Sequence, residues 1–477
     1  MKILMVNLSF LPDSVGGTEV YTYHLSRALI AAGHSVTVFT AVEDMTATRY
    51  EIRRSMLDGI SLIKVVNSPA QARKFTDYFK DVHTERVFRE VIREECPDVV
   101  HFQHLAYLSG AMPEIAFQEG FPSILTLHDY WYICRRSHLI RPSVGICEGP
   151  MSGTNCATCL DKPLPNTRAR DSATAPEMET NSGWIGRALR WLDSARRYPS
   201  IGLASEFPDS MGVDHVALAE NRFRHEFFSR QLRYPAVLLS PSRYLKARYE
   251  AEGFPPISVL PLGFSRVDPV PPVPYRGTLR IAFIGNLLRT KGAHVILGEL
   301  EELGRRGSEV EVHIHGWGAD KLYLAELQSA VRRYPTGAAW LHGPYQGDAD
   351  LGSILSSVHL TVFPSLWEEN YPLVVREALQ RGVPVVGSKY GGVPEAIVHG
   401  VNGCLFDPHL QGDLRHTISE IIRQPDRLEA LRAGARRTDV ETQDAHVRKL
   451  MDIYESVTRN VVDVDLMGAR LRGLEPQ

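Results

Sequence analysis

Short apolar runs alternate along this chain with helix-length amphipathic stretches, a rhythm that predicts layers of parallel strands and covering helices. Lys2 to Asn7 reads as a buried strand, Gly16 and Gly17 sit in the loop after it, and a helix is expected from about Thr18 to Ala32. Within that helix Val20, Leu25, Ala28, Leu29 and Ala32 recur at helical spacing, and Gly33 ends it. Further strands are expected at 36–40, 99–103, 124–127 and 237–240. The proline-rich stretch 268-DPVPPVPYRG-277 then interrupts all periodicity and reads as an interdomain linker. Beyond it the rhythm resumes with strands at 281–284, 310–315, 360–363 and 385–386. The pattern gives two domains, 1–266 and 277–449.

Residues 161–215 break the rhythm, being rich in Pro, Ser, Asp and Arg. They hold a single amphipathic stretch, 184–198, with Trp184, Ile185, Ala188, Leu189, Leu192 and Ala195 on one face and Arg187, Arg190 and Arg197 away from it. It reads first as a lid or docking helix over part of the core. The second reading is a basic helix in peripheral contact with an anionic membrane surface.

At 477 residues the chain is too long for one ordinary core. Its 44% apolar and 23% charged residues are those of a soluble globular protein, and a net charge of −3 excludes a generic nucleic-acid binder. The first residues carry no apolar signal-peptide core, and no run approaches the length of a membrane span, so a cytoplasmic location is expected.

The chemistry concentrates in 363-FPSLWEENYPLVVREAL-379. A strand end, a loop and a helix are expected there, and the amides of Asn370, Tyr371, Leu373 and Val374, around Pro372, would open the helix and can hold a diphosphate. Glu377, expected about two turns in, is too deep to cap the helix. Its carboxylate suits the two hydroxyls of a ribose, and Glu369 suits hydroxyls of a sugar beyond the diphosphate. Dipole compensation would explain Glu369 but leaves Glu377 without a task. In 283-FIGNLLRTKGAHVIL-297, Lys291 stands at a strand-to-helix junction where a lysine meets phosphate as a point charge; the order Lys-Gly excludes a P-loop. Gly16 and Gly17 allow backbone amides to approach a phosphate, although the loop lacks the GxGxxG spacing.

Taken together, Glu369-x7-Glu377 followed by 382-GVPVV-386, 391-GGVPE-395 and 400-GVNGCLF-406 resembles the donor-binding half of the family 4 glycosyltransferases. Gly16-Gly17, 125-LTLHD-129, 259-VLPLGF-264, Gly285 to Gly292 and 315-HGWG-318 fall in the matching order, over nearly the whole chain. The resemblance implies an α/β GT-B fold, two Rossmann-like doubly wound domains facing across a cleft. The first would be the acceptor side, with last helices from about 450 to 477 returning to it, and the second the donor side. It implies a retaining hexosyltransferase acting on a nucleoside-diphosphate sugar of UDP or GDP type, with a glycan, lipid-linked or small-molecule acceptor. In that reading Lys291 and the amides of Leu373 and Val374 hold the diphosphate, and Gly16 and Gly17 close on it. Glu377 takes the ribose, Glu369 the sugar hydroxyls, and His128 the transferred sugar. Backbone near Gly316 and Gly343–Tyr345 would meet the base. Asn286 stands where the family usually has an arginine, so Arg289 either reaches in or the leaving group is neutralised less. The resemblance also implies transfer without a metal or other cofactor, by a front-face route. The DxD pairs Asp348/Asp350 and Asp463/Asp465 are expected outside the donor site.

Cys134, Cys147, Cys156 and Cys159, spaced C-x12-C-x8-C-x2-C, suit a structural zinc site as well as four reduced thiols. The alternatives for the whole chain are an inverting GT-B transferase, a nucleotide-sugar epimerase and a non-catalytic sugar- or nucleotide-binding protein.

Overall fold

The computed structural model describes residues 1–14, 16–68, 74–141, 145–151, 153–159, 215–305, 309–335, 337–345 and 347–459. The amphipathic stretch 184–198, most of 161–215, and Asp463 and Asp465 lie outside them. The described residues fall into two compact units. One holds Met1–Arg135, residues 215–263 and the helix Gln443–Arg459. The other holds Phe264–Val440 with the described residues between 136 and 159.

In the first unit β1 (Lys2–Asn7), β2 (Ser35–Val42), β3 (Ile52–Leu57), β4 (Ile60–Val66), β5 (Val99–Phe102), β6 (Ser123–Thr126), β7 (Val237–Ser240) and β8 (Ser258–Val259) lie in the order β3-β4-β2-β1-β5-β6-β7-β8. All neighbours are parallel except β3 and β4. The order reverses between β1 and β5, where a doubly wound sheet opens its crevice. The β3–β4 hairpin and the short β8 were not expected from the apolar rhythm, because β3 carries Arg53 and Arg54 and is largely exposed. The hairpin's own signal was present: Asp58-Gly59 turns it with φ of 49° and 83°, the conformation a two-residue hairpin loop requires.

Helix Gln443–Arg459 packs on helix Gly17–Ala31. Tyr454 is fully buried and hydrogen-bonds His101 Nδ1 at 2.7 Å, while His101 Nε2 meets Thr126 at 2.8 Å. Burial holds the His101 pKa well below its ordinary value, so this core histidine is neutral.

The second unit carries β9 (Leu279–Ile284), β10 (Val310–His315), β11 (Ala339–Leu341), β12 (Leu360–Phe363), β13 (Val385–Ser388) and β14 (Gly403–Phe406), ordered β11-β10-β9-β12-β13-β14 and parallel throughout. Covered on both faces, β12 and β13 are buried at every residue, which explains why neither holds a charged side chain. The order reverses between β9 and β12, so the loops that follow these two strands are neighbours. Among the described residues no helix is long and apolar enough to cross a membrane.

Phe283 on β9 is 1% exposed in the core on one face of this sheet. Phe283→Ala is expected to destabilise the second unit by about 3–5 kcal/mol, read as a lowered urea midpoint, because removing a buried ring leaves a cavity as well as the lost transfer energy.

Candidate functional site

Where β9 ends, Gly285 takes a φ of 151°, and residues Arg289–Lys291 form one 3-10 turn. Gly292 closes that turn at φ 79° and starts helix Ala293–Glu299, so Lys291 ends a turn and does not begin the helix. A Cβ on Gly292 would stand 2.0 Å from the Pro364 carbonyl oxygen. Its absence lets the loop after β12 lie against the loop after β9, and the Leu366 amide donates to the Thr290 carbonyl at 2.8 Å. On the other side, Cβ atoms on Gly391 and Gly392 would fall 2.3 Å and 1.9 Å from the carbonyls of Glu369 and Asn370. The Gly392 amide donates to Glu369 O at 2.6 Å.

The loop 364–372 is thus held from both sides, and it brings Glu369 onto Lys291 as an ion pair. Glu369 is buried and also accepts from Ser365 Oγ at 3.2 Å. The Lys291 ammonium lies 5.4 Å from the Trp367 ring centroid, and the His138 ring stands 4.6 Å from that indole. Ser365, Trp367 and His138 escaped the sequence reading. Trp367 and Ser365 were visible inside the quoted motif, whereas nothing local marks His138, which comes from a segment more than 200 positions upstream.

Helix Leu373–Gln380 follows behind Pro372, leaving the first amides of the helix unpaired by the helix itself. The Arg376 guanidinium lies 3.4 Å over the Tyr371 ring, and Phe264 stacks near that ring at 6.4 Å, fixing the helix entry. Glu377 is the fifth helical residue, a little over one turn in and not two. Its half-buried carboxylate accepts no hydrogen bond among the described residues. Burial pushes it up to about 7; Arg381 opposes the rise and Asp348 adds to it. Asp348, expected outside this region, is therefore near Glu377 and pairs with Arg381, whose other arm donates to the Glu377 carbonyl. Tyr345 lies on the same side, its hydroxyl raised to about 12 by burial and by Glu377.

Gly316 packs directly on Gly285: a Cβ there would meet the Gly285 carbonyl at 1.9 Å, and its amide reaches Gly343 O at 3.3 Å. Asn286 is exposed beside it. Arg289 is held elsewhere, paired with Glu326 and stacked 5.0 Å over Tyr323. In this structure it does not reach the Lys291–Glu369 pair.

In the first unit Gly16 is the extended N-cap of helix Gly17–Ala31, with neither glycine in a left-handed conformation. His128 donates from Nε2 to Gln103 Oε1 at 2.7 Å and packs 5.3 Å from the Tyr21 ring. Burial lowers its pKa to about 3, with His104 contributing and Asp129 opposing, so at pH 7 it is a neutral hydrogen-bonding group.

Of the four clustered cysteines, Cys134 lies in the first unit and Cys147, Cys156 and Cys159 in the second. Cys159 is raised by burial, Arg136 opposes the rise, and Cys147 is near enough to add to it. The described residues contain one group of three or more potential ligand side chains with donor atoms within 4.8 Å of one another, and it is His313, His315 and His342.

With this geometry in place, two family models fit the chain. Residues 271–438 match glycosyl transferases group 1, and residues 15–145 match Glycosyltransferase Family 4. Between them these cover more than half of the sequence, and the chain belongs to this family of transferases. Its fold is GT-B: it is similar to sucrose-phosphate synthase from Thermosynechococcus elongatus, with a TM-score of 0.62 at 15% identity over 96% of this chain and 99% of that one. It is also similar to HepE of Anabaena in complex with UDP and glucose, with a TM-score of 0.58 at 14% identity over 96% and 100%. Among curated proteins, the D-inositol 3-phosphate glycosyltransferase of Segniliparus rotundus is 27% identical over 38% of this chain, a match that spans only 40% of that relative's length.

The raised Glu377 pKa carries a stability prediction. The unfolded carboxyl ionises near 4.5 and the folded one near 7, so its contribution to stability falls as pH rises between those values and is constant above them. Glu377→Gln is expected to stabilise the ligand-free protein at pH 8 by up to roughly 3 kcal/mol, a gain that shrinks towards zero near pH 4.5. Thermal unfolding across that pH range measures it.

Proposed function

We propose that the protein transfers a hexose-type sugar from a nucleoside-diphosphate sugar to an acceptor hydroxyl with retention of anomeric configuration. The observation that carries this reading is the arrangement of the second unit. Lys291 and Glu369 pair at the foot of a helix whose Glu377 carboxylate is half-buried and accepts no hydrogen bond among the described residues. A ribose diol would supply the two hydroxyl donors that Glu377 lacks. A diphosphate on the Leu373 and Val374 amides would draw Lys291 to itself, releasing Glu369 to accept from the sugar hydroxyls. The solved complex of HepE with UDP and glucose supports a donor of UDP type, and GDP is the alternative.

In the reaction proposed, the bond from the sugar C1 to the diphosphate oxygen breaks and the acceptor oxygen bonds to C1 on the same face. The acceptor proton passes to the departing phosphate oxygen, and Lys291 with the helix amides stabilises the charge growing there. No metal takes part. The second unit, with Phe264–Val440, is the donor side. The first unit, which includes the helix Gln443–Arg459, is the acceptor side, where neutral His128 hydrogen-bonds the transferred sugar. A glycan, lipid-linked or small-molecule acceptor in the cytoplasm completes the reading.

Thermal unfolding with UDP, GDP, ADP, dTDP and CMP tests the donor site. One diphosphate at about 100 times its dissociation constant is expected to stabilise the native protein by roughly 2.7 kcal/mol, a shift of a few degrees. Glu377→Ala should lose that shift; if no nucleotide stabilises the native chain, the ribose role of Glu377 fails. With donor and acceptor in hand, Lys291→Ala is expected to lower kcat by about 10²–10³-fold, the cost of removing one group aimed at developing charge. Proton NMR of the first-formed product gives its anomeric configuration, and an inverted product would replace retention with the inverting alternative.

A further inference from the structure

Three imidazoles stand on one face of the second unit's sheet, outside the loops that carry Lys291 and Glu369. His313 and His315 are two positions apart on β10 and so point the same way. His313 pairs in register with Trp340 on the edge strand β11, and one step beyond the last pair His342 lies beside His315, with its amide bonded to Ile314 O at 2.7 Å. The ring centroids of His315 and His342 are 4.2 Å apart, and Trp340 stacks on His313 at 4.4 Å.

We propose that His313, His315 and His342 bind a divalent transition-metal ion of the zinc, cobalt, nickel or copper class. One donor atom from each ring already lies within 4.8 Å of the others. His313 Nδ1 and His342 Nε2 are 3.1 Å apart. Two nitrogens bound tetrahedrally at about 2.0–2.1 Å from one zinc ion stand roughly 3.3 Å apart, so this pair is already near the spacing the ion imposes. Seating it tilts half-exposed rings about their terminal torsions and moves no backbone, since such torsions are broad. Imidazole suits these ions, whereas magnesium and calcium prefer oxygen. Burial lowers the pKa of His313 and His315 to about 4 each, so the rings are neutral donors at pH 7 and not an anion site. Glu311, on the same face, has a carboxylate oxygen 3.9 Å from His313 Nε2, beyond hydrogen-bond distance but near enough for its negative charge to favour a cation there. Three side chains leave a position for water or a further ligand. The ion would tie the ends of β10 and β11 together just before Gly316 and Gly343, whose backbones are already bonded.

Cobalt titration of the EDTA-treated full-length protein tests the proposal. One ion is expected to bind with visible d–d absorption and without the near-ultraviolet band of thiolate coordination. His315→Gln and His342→Gln should each weaken binding by at least about tenfold, while Cys156→Ser leaves it unchanged. Zinc should raise the unfolding midpoint of the native protein and of Cys156→Ser but not of either histidine variant, and the variants' metal-free melts report whether they fold. A thiolate band, unchanged affinity in both folded histidine variants, or no saturable binding would each overturn the assignment.

Discussion

Gly292, Gly391 and Gly392 let three loops of the second unit meet backbone to backbone, and the pairing of Lys291 with Glu369 follows from that contact. Each of the three positions has a neighbouring carbonyl oxygen within 2.3 Å of where a Cβ would stand. Any other residue would push the loop after β12 away from the loops after β9 and β13, because real Cβ atoms do not approach oxygen that closely. The chain order of the sheet makes these loops neighbours, and the glycines reduce the spacing to hydrogen-bonding distance. The site is therefore a property of the sheet's switch point first and of its side chains second.

Electrostatically the site is half compensated. Lys291 and Glu369 pair with one another, and removing Lys291 leaves Glu369 buried without its cation. Glu377 is different: burial disfavours its charge, Arg381 offsets only part of that, and Asp348 works against it. A carboxylate held where its ionisation is unfavourable destabilises the protein without ligand, and hydroxyl donors would relieve it. Such conflicts between stability and local chemistry are expected at functional sites. His128 in the first unit shows the opposite solution, with burial keeping the imidazole neutral and Gln103 fixing its orientation.

Much of this could be read from residue order. Several buried strands of both sheets appear as short, mostly apolar runs, and Glu369-x7-Glu377 with the glycine pairs marked the candidate loop and helix. Misses came from elements whose signal is weaker than packing. β3 is an exposed, charged edge strand, so its apolar rhythm fails even though Asp58-Gly59 announces the turn. Arg289 was a candidate for the diphosphate because it lies near Lys291 in sequence, yet Glu326 and Tyr323, on a helix 30-odd positions away, hold it. The fold also gathered three histidines that spacing did not single out.

The sequence by itself determined the parallel α/β architecture and the residue types available for phosphate and hydroxyl recognition, because periodicity, proline and glycine act through local backbone preferences. Tertiary structure alone decided which of those residues meet. Lys291 and Glu369 are 78 positions apart, and His313 and His342 are 29 apart. Their distances are set by strand order and by backbone approach across loops, and the pKa of Glu377 by what is packed around it. Burial and long-range contact are sums over the whole fold, so no local pattern encodes them.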